Sequence, residues 1–210
     1  MTNRLPDQNG AVASGRGVRV PKVSPLADHH VRSSLTIVGR LLVVASALVF
    51  AGCSEGPPTQ AELDAVAAMQ RLHGNVEFNA EGHAVSLILK DVEIRDGDLA
   101  PVQQLHDLKF LSLERSPIGN AGVAHLAGLS DLKSLSLAGT KVTDAGLVHL
   151  KGLSSLENLD LEGLHITDRG LAELAPIASL RKVYVSKTGP TSAGIDDLES
   201  TNPHLHVTRQ

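Results

Sequence analysis

Cys53 is the only cysteine in this 210-residue chain, so an intrachain disulfide is excluded. A lone thiol says little about compartment by itself, so its position has to carry the meaning. Ten histidines raise metal and acid–base chemistry. His125 and His149 lie 24 residues apart, in a row that continues through Pro101, Glu173 and Asp197. Tetrahedral ligation needs donors on one short radius. Donors on successive outer helices stand too far apart for that, so this row reads as a solvated face. His204 and His206 share strand parity near the C-terminus and offer at most a weak surface metal site or a pH-sensitive patch. Asp144 and Asp168 follow Thr143 and Thr167, which invites a calcium reading, but helix capping accounts for them. No glycine-rich phosphate loop, HExxH, GxSxG or CxxC is present. The expectation is therefore no catalytic residue, no metal, no cofactor, no small-molecule substrate and no enzyme activity.

The segment before Cys53 gives that thiol its context. Residues 41–52 read LLVVASALVFAG, with Arg32 and Arg40 ahead of them. A positive stretch followed by a short apolar run is the layout of a signal peptide. The run is too short to span a bilayer, which takes about 20 apolar residues. Phe50-Ala51-Gly52-Cys53 closes it, and the polar Ser54-Glu55-Gly56-Pro57-Pro58 follows. Two small residues ahead of a cysteine resemble a bacterial lipobox, with Phe50 departing from the usual leucine. The resemblance implies diacylglyceryl transfer to the Cys53 sulfur, cleavage after Gly52, and a lipid anchor in a membrane of the cell envelope. The other reading is an ordinary signal peptide or uncleaved anchor in which Cys53 is incidental. Residues 1–52 form this N-terminal extension and signal segment, and 53–60 form a linker whose prolines favour extended chain.

Charge divides at the same boundary. Residues 1–52 hold six Lys/Arg against two Asp/Glu, a charge of +4, and residues 53–210 carry −8. An acidic domain with 2% aromatics argues against nucleic acid, whose phosphates need clustered cations.

The elements that position everything else come from a 24-residue repeat with registers starting at Ala84, Leu108, Leu132, Leu156 and Leu180. Such a period marks a solenoid or array. Positions 4 and 6 hold Leu87/Leu89, Leu111/Leu113, Leu135/Leu137, Leu159/Leu161 and Val183/Val185. This alternation predicts a strand opening each repeat with its apolar side inward. Position 13 holds Asp96, Asn120, Asp144, Asp168 and Ser192, each a candidate N-cap for a helix beginning there. Position 15 is glycine in four repeats, which permits close approach between layers. Positions 16 and 19 are apolar pairs, such as Leu147 and Leu150, that turn one helix face onto the strands. The period predicts a last strand at residues 204–208 after a slightly shortened final repeat.

Leu132 to Leu153 fits LxxLxLxxTxVTDxGLxxLxxL, which resembles leucine-rich repeats with a true helix on the convex side. The resemblance implies an α/β solenoid over residues 84–210, with parallel strands concave and helices convex. Such families often carry an Asn or Cys ladder at position 9. Here that position holds Val92, Ser116, Thr140, Leu164 and Thr188, of which Val92 and Leu164 cannot bond a turn. Residues 61–83 read as a helix followed by a hairpin, an N-terminal cap over the first layer's apolar edge. The competing role for that helix is docking a partner.

The resemblance also implies protein recognition through the concave face. Its columns read Ser86, Phe110, Ser134, Asn158, Lys182, His204, then Ile88, Ser112, Ser136, Asp160, Tyr184, His206, then Lys90, Glu114, Ala138, Glu162, Ser186, Thr208. Ile88, Phe110 and Tyr184 have no evident core role there, and aromatics commonly anchor interfaces. Asp160 and Glu162 form an acidic patch beside Lys182. These six are the candidate protein-binding residues, weighed against a plain solvated face. The functional expectation is a membrane-anchored, protein-binding lipoprotein of the envelope. The alternative is a structural or self-assembling envelope protein without a foreign ligand.

Overall fold

Leucines at positions 4 and 6 set the sheet, and their neighbours in sequence set its open face. The computed structural model describes residues 56–186 and 189–209. Cys53 and residues 1–52, where a signal segment is expected, lie outside the described residues, as does Thr188 of the position-9 column. The elements run α1 (Gln60–Arg71), β1 (Asn75–Phe78), β2 (Ala84–Ile88), a 3-10 helix (Asp96–Gln104), β3 (Phe110–Ser112), α2 (Asn120–Ala124), β4 (Ser134–Ser136), α3 (Asp144–Leu147) continuing as a 3-10 turn (Val148–Gly152), β5 (Asn158–Leu161), α4 (Asp168–Ala172), β6 (Lys182–Val185), α5 (Ser192–Thr201) and β7 (His206–Arg209).

The seven strands lie side by side in sequence order. β1 is antiparallel to β2, and every later pair is parallel. This is the α/β leucine-rich repeat arrangement, with a strand and a helical segment in each layer. Leu87, Leu111, Leu135, Leu159, Val183 and Val207 stand opposite one another across the sheet. The core is one continuous column of such rows. Leu108, Leu132, Leu156 and Leu180 at position 1 are wholly buried, as are the position-16 and -19 pairs of the middle layers. Burying one such side chain contributes about 1.5–3 kcal/mol, so stacking supplies the stability that a single thin layer lacks.

The register corrects the expected C-terminus. Lys182 pairs with His206 and Tyr184 with Thr208, so the last repeat keeps the full 24 residues. His204 lies in the turn before β7, not on the strand, and His206 rather than His204 continues the Phe110 column. The physical reason is α5, which runs ten residues where the inner helices run four or five. Its extra turn and the Asn202 cap use up the two residues that a strand beginning at 204 would have claimed.

The expected N-capping is also corrected. Residues Asn120, Asp144 and Asp168 open their helices, but their side chains do not cap them. Each reaches into the following layer instead. Asp144 Oδ1 accepts from the Thr167 backbone N–H at 2.9 Å, and Asp168 Oδ1 accepts from Thr191 N–H at 2.7 Å. Asp96 accepts from Gly119 N–H at 2.7 Å and Asn120 from Thr143 N–H at 2.9 Å. A polar ladder therefore runs along the helix side of the solenoid.

The position-15 glycines follow from that ladder. A Cβ at Gly122, Gly146, Gly170 or Gly194 would stand under 3.0 Å from the Asp or Asn oxygen of the preceding layer. The first repeat has no preceding layer of this kind and carries Asp98 at that position. The Asp98 carboxylate turns back and accepts from Arg95 N–H at 2.8 Å. Pro101, which has no N–H to donate, lies inside this 3-10 helix.

At the other end of the chain, the Thr59 hydroxyl accepts from Glu62 N–H at 3.2 Å and starts α1. Ala65, Val66 and Met69 of α1 join the core cluster. The helix stops where His73 takes a left-handed φ of 61° and Gly74 N–H bonds back to Met69 O at 2.9 Å.

Candidate functional site

Side chains at position 3 of the strands and at position 5 point away from the leucine core, onto the open face of the sheet. Cross-strand pairing brings Ser86, Phe110, Ser134, Asn158, Lys182 and His206 into one row. It brings Ile88, Ser112, Ser136, Asp160, Tyr184 and Thr208 into the next. Adjacent strands stand about 4.8 Å apart, so each row is a continuous strip of side chains.

The six candidate residues fall into two groups. Ile88 and Phe110 are diagonal neighbours on β2 and β3. Asp160, Glu162, Lys182 and Tyr184 gather on β5, β6 and the turn after β5. Ser134 and Ser136 of β4 separate the groups. Phe110 is 39% exposed among serines, so its ring stands above a low floor.

The charged group is partly committed. Asp160 accepts from Ser136 Oγ at 3.3 Å and from Glu162 N–H at 3.0 Å. Neither Glu162 nor Lys182 forms an ion pair among the described residues, and the Tyr184 hydroxyl makes no hydrogen bond there. The third column behaves differently at its start. Lys90 Nζ meets Glu114 at 2.9 Å, and Arg115 meets Glu114 at 2.8 Å and Asp91 at 2.7 Å. That rim neutralises itself, so uncompensated polar groups concentrate at β5 and β6.

Position 9 divides as its side chains allow. Ser116 Oγ donates to Leu89 O at 2.6 Å and Thr140 Oγ1 to Leu137 O at 2.7 Å. Leu164 is buried instead, and its N–H bonds to Leu161 O at 3.2 Å, which closes that turn without a polar side chain. On the helix side, His125 bonds Gln103 at 2.6 Å, and Glu173 pairs with Lys151 at 2.5 Å. The structure does not gather the His125–His149 row around a common centre.

A different group does come together, outside the columns expected to carry function. Glu62 of α1, His83 before β2 and Asp107 before β3 place donor atoms within 4.8 Å of one another. His83 Nδ1 lies 2.9 Å from Glu62 Oε2 and 3.1 Å from Asp107 Oδ2. Its Nε2 lies 2.9 Å from the Gly56 carbonyl oxygen. The second Glu62 oxygen accepts from Ala84 N–H at 3.1 Å. Burial pushes the imidazole pKa down, but the Glu62 and Gly56 hydrogen bonds and the Glu62 and Asp107 charges outweigh it, and the pKa is raised. One trace was readable beforehand. Thr59-x-x-Glu62 has the spacing of a capping box, which marks Glu62 as a carboxylate turned toward backbone.

Among the described residues, no helix is long and apolar enough to cross a membrane. No family model matches the chain, and no curated protein matches it. Solved structures do. The PEPR1–AtPEP1 structure is 17% identical with a TM-score of 0.45, covering 64% of this chain and 19% of its own. The leucine-rich repeat ectodomain of the receptor kinase SOBIR1 from Arabidopsis thaliana is 16% identical with a TM-score of 0.42, covering 74% of this chain and 100% of its own. An internalin C2 from Listeria monocytogenes is 17% identical with a TM-score of 0.34, covering 76% of this chain and 89% of its own. The chain spans only 19% and 26% of the first two solved structures it matches.

Proposed function

We propose that this chain is a protein-binding repeat module held at a membrane of the cell envelope by lipid on Cys53. The observation that carries the binding half is Phe110, 39% exposed on the open sheet face between Ser86 and Ser134. A ring with no core to fill, and serines directly beside it on both adjoining strands, offers a partner an apolar anchor. Tyr184, Asp160, Glu162 and Lys182 supply polar contacts on the same face, and Ile88 widens the apolar end. α1 and the β1–β2 hairpin act as the cap of the first layer. The anchoring half rests on the FAGC sequence behind an apolar run. One acyl chain holds a protein only marginally, whereas several on one cysteine hold it firmly.

The intact mass of protein extracted from membranes tests the anchor. A chain beginning at Cys53 with added acyl mass is expected, and Cys53→Ala abolishes it; an unprocessed wild-type chain would sink the lipid reading. Pull-down with Phe110→Ala and Tyr184→Ala tests the face. Each should cost about 2 kcal/mol of binding, roughly 30-fold in Kd. Because both side chains are partly exposed, stability should stay within about 0.5–1 kcal/mol. Undiminished capture by both variants would remove the sheet face as the binding surface. Concentration-dependent sedimentation without a foreign partner would favour the self-assembling alternative.

A further inference from the structure

His83 sits where three separate segments meet. Glu62 comes from α1, Asp107 from the turn ahead of β3, and Gly56 from the linker. His83 is 7% exposed and Glu62 is 5% exposed. Neither carboxylate pairs with Lys or Arg among the described residues, so His83 is their shared cation.

Hydrogen-bond accounting fixes its state. The Gly56 carbonyl can only accept, so Nε2 carries a proton. On the other side, Nδ1 faces two carboxylate oxygens at 2.9 and 3.1 Å, and a lone pair there would be repelled by both. Nδ1 therefore carries a proton too. The imidazolium satisfies every contact at ordinary hydrogen-bond length, and no other cation is needed.

We infer that protonated His83 is a latch that pins the linker at Gly56 to the first layer of the repeat domain and lets it go when the proton leaves. The direction follows from the two ring nitrogens. Two anions hold the Nδ1 proton, so deprotonation takes the one on Nε2. The Nε2 lone pair then confronts the Gly56 carbonyl oxygen, and that contact turns repulsive. Glu62 and Asp107 still hold the ring through Nδ1–H, so the repeat domain stays folded while the linker is freed.

The charged groups facing His83 are Glu62 and Asp107, and both favour the charged ring. Its pKa is raised in the folded protein. The latch is therefore fully closed below the ordinary imidazole value and opens as pH rises through the raised one. Gly56 is the third residue after Cys53. If Cys53 carries lipid, a closed latch holds the repeat domain close against its anchor, and an open latch lengthens the tether. That consequence rests on the lipid reading; the latch does not.

The test is a pH titration of the full chain in detergent micelles, following the His83 ring and the Gly56 carbonyl carbon by NMR. The His83 midpoint is expected above that of an ordinary imidazole, and the Gly56 carbonyl is expected to shift with the same midpoint. Asp107→Asn, at a partly exposed site, should lower the midpoint without unfolding the domain. Glu62→Gln, which keeps an acceptor for Ala84 N–H, should also lower it. A Gly56 carbonyl indifferent to the His83 titration would overturn the latch. So would a midpoint unmoved by either variant, or a titration that changes on chelating divalent cations, which would assign the cluster to a metal.

Discussion

Asp144 ties its own layer to the next one, as Asp96, Asn120 and Asp168 do along the helix side. Its Oδ1 takes the Thr167 N–H and its Oδ2 takes the Thr167 hydroxyl, both from the next layer. Gly170 lies in that same next layer, where a Cβ would collide with the Asp144 carboxylate. The two positions form one device and should be energetically coupled. Gly170→Ala should cost about 1–3 kcal/mol through overpacking, and Asp144→Ala about 1–2 kcal/mol through lost hydrogen bonds. The double variant should fall short of their sum by about 0.5–3 kcal/mol, because removing the carboxylate removes the collision. Chemical denaturation of the four proteins checks it, and strict additivity would mean that the glycine serves something else. Both columns were legible in the sequence, but their partner was not. In a strict repeat, a side chain bonding its own helix and one bonding the next layer leave the same 24-residue spacing. Asn120 shows how flexible the device is. It accepts from Thr143 N–H and donates its amide to Thr143 Oγ1 at 2.9 Å, whereas Asp144 and Asp168 accept the threonine hydroxyl.

The turns that leave the strands carry a pattern that sequence reading passed over. Asp91, Arg115, Gly139 and Gly163 share position 8, and all have positive φ, at 57°, 57°, 65° and 75°. Left-handed backbone costs an L-residue about 1–2 kcal/mol. Gly163→Ala should lower stability by about that much, read from the denaturation midpoint, and Gly139→Ala at least as much because its Cβ would press on the Arg115 side chain. The glycines alone were interpretable as turn residues. Asp91 and Arg115 hid the column, because a fork of two hydrogen bonds from Arg115 to Asp91 holds these two turns against each other. The hydrogen bond from Arg115 holds the Asp91 carboxyl below the usual carboxylate range, helped by the charges of Arg115 and Lys90. Its contribution is therefore present above that range and lost as pH falls through the lowered value. Arg115→Gln should return the Asp91 carboxyl, followed by carbon NMR, to the usual range. High salt should narrow the difference, since both groups are exposed. An Asp91 midpoint unchanged in Arg115→Gln would show that the pair does not persist in solution. The open sheet face was the most legible part of the candidate site, because a period of two assigns in and out without further information. His83 was the least legible, since two of its partners, Glu62 and Gly56, lie outside the repeats, 21 and 27 residues away in sequence.

At the scale of the whole repeat domain, each layer touches only its neighbours, so stability should depend on where along the stack a defect falls. The two ends are closed by different means. The first layer has α1, whose Met69 is fully buried. The last layer has α5, with Leu198 and Leu205 buried beneath it, and Glu199 accepting from Val207 N–H at 2.7 Å. β7 has no strand beyond it among the described residues, and Val207 is only partly buried. The C-terminal layers should therefore open at lower cost than those between β2 and β5. Leu135 lies in the central row, so Leu135→Ala should cost about 2–5 kcal/mol and weaken both halves of the stack. Leu205→Ala removes a similar side chain from the last layer. It should reduce amide hydrogen-exchange protection in β6 and β7 while leaving β2 and β3 near their original values. The same measurement on Leu135→Ala should show protection lost on both sides of β4. Equal loss everywhere in both variants would mean that the domain opens only as a single unit. The layers would then be a repeat of geometry, not of energy, and the charge or aromatic content of one layer could not be changed without consequence for all the others.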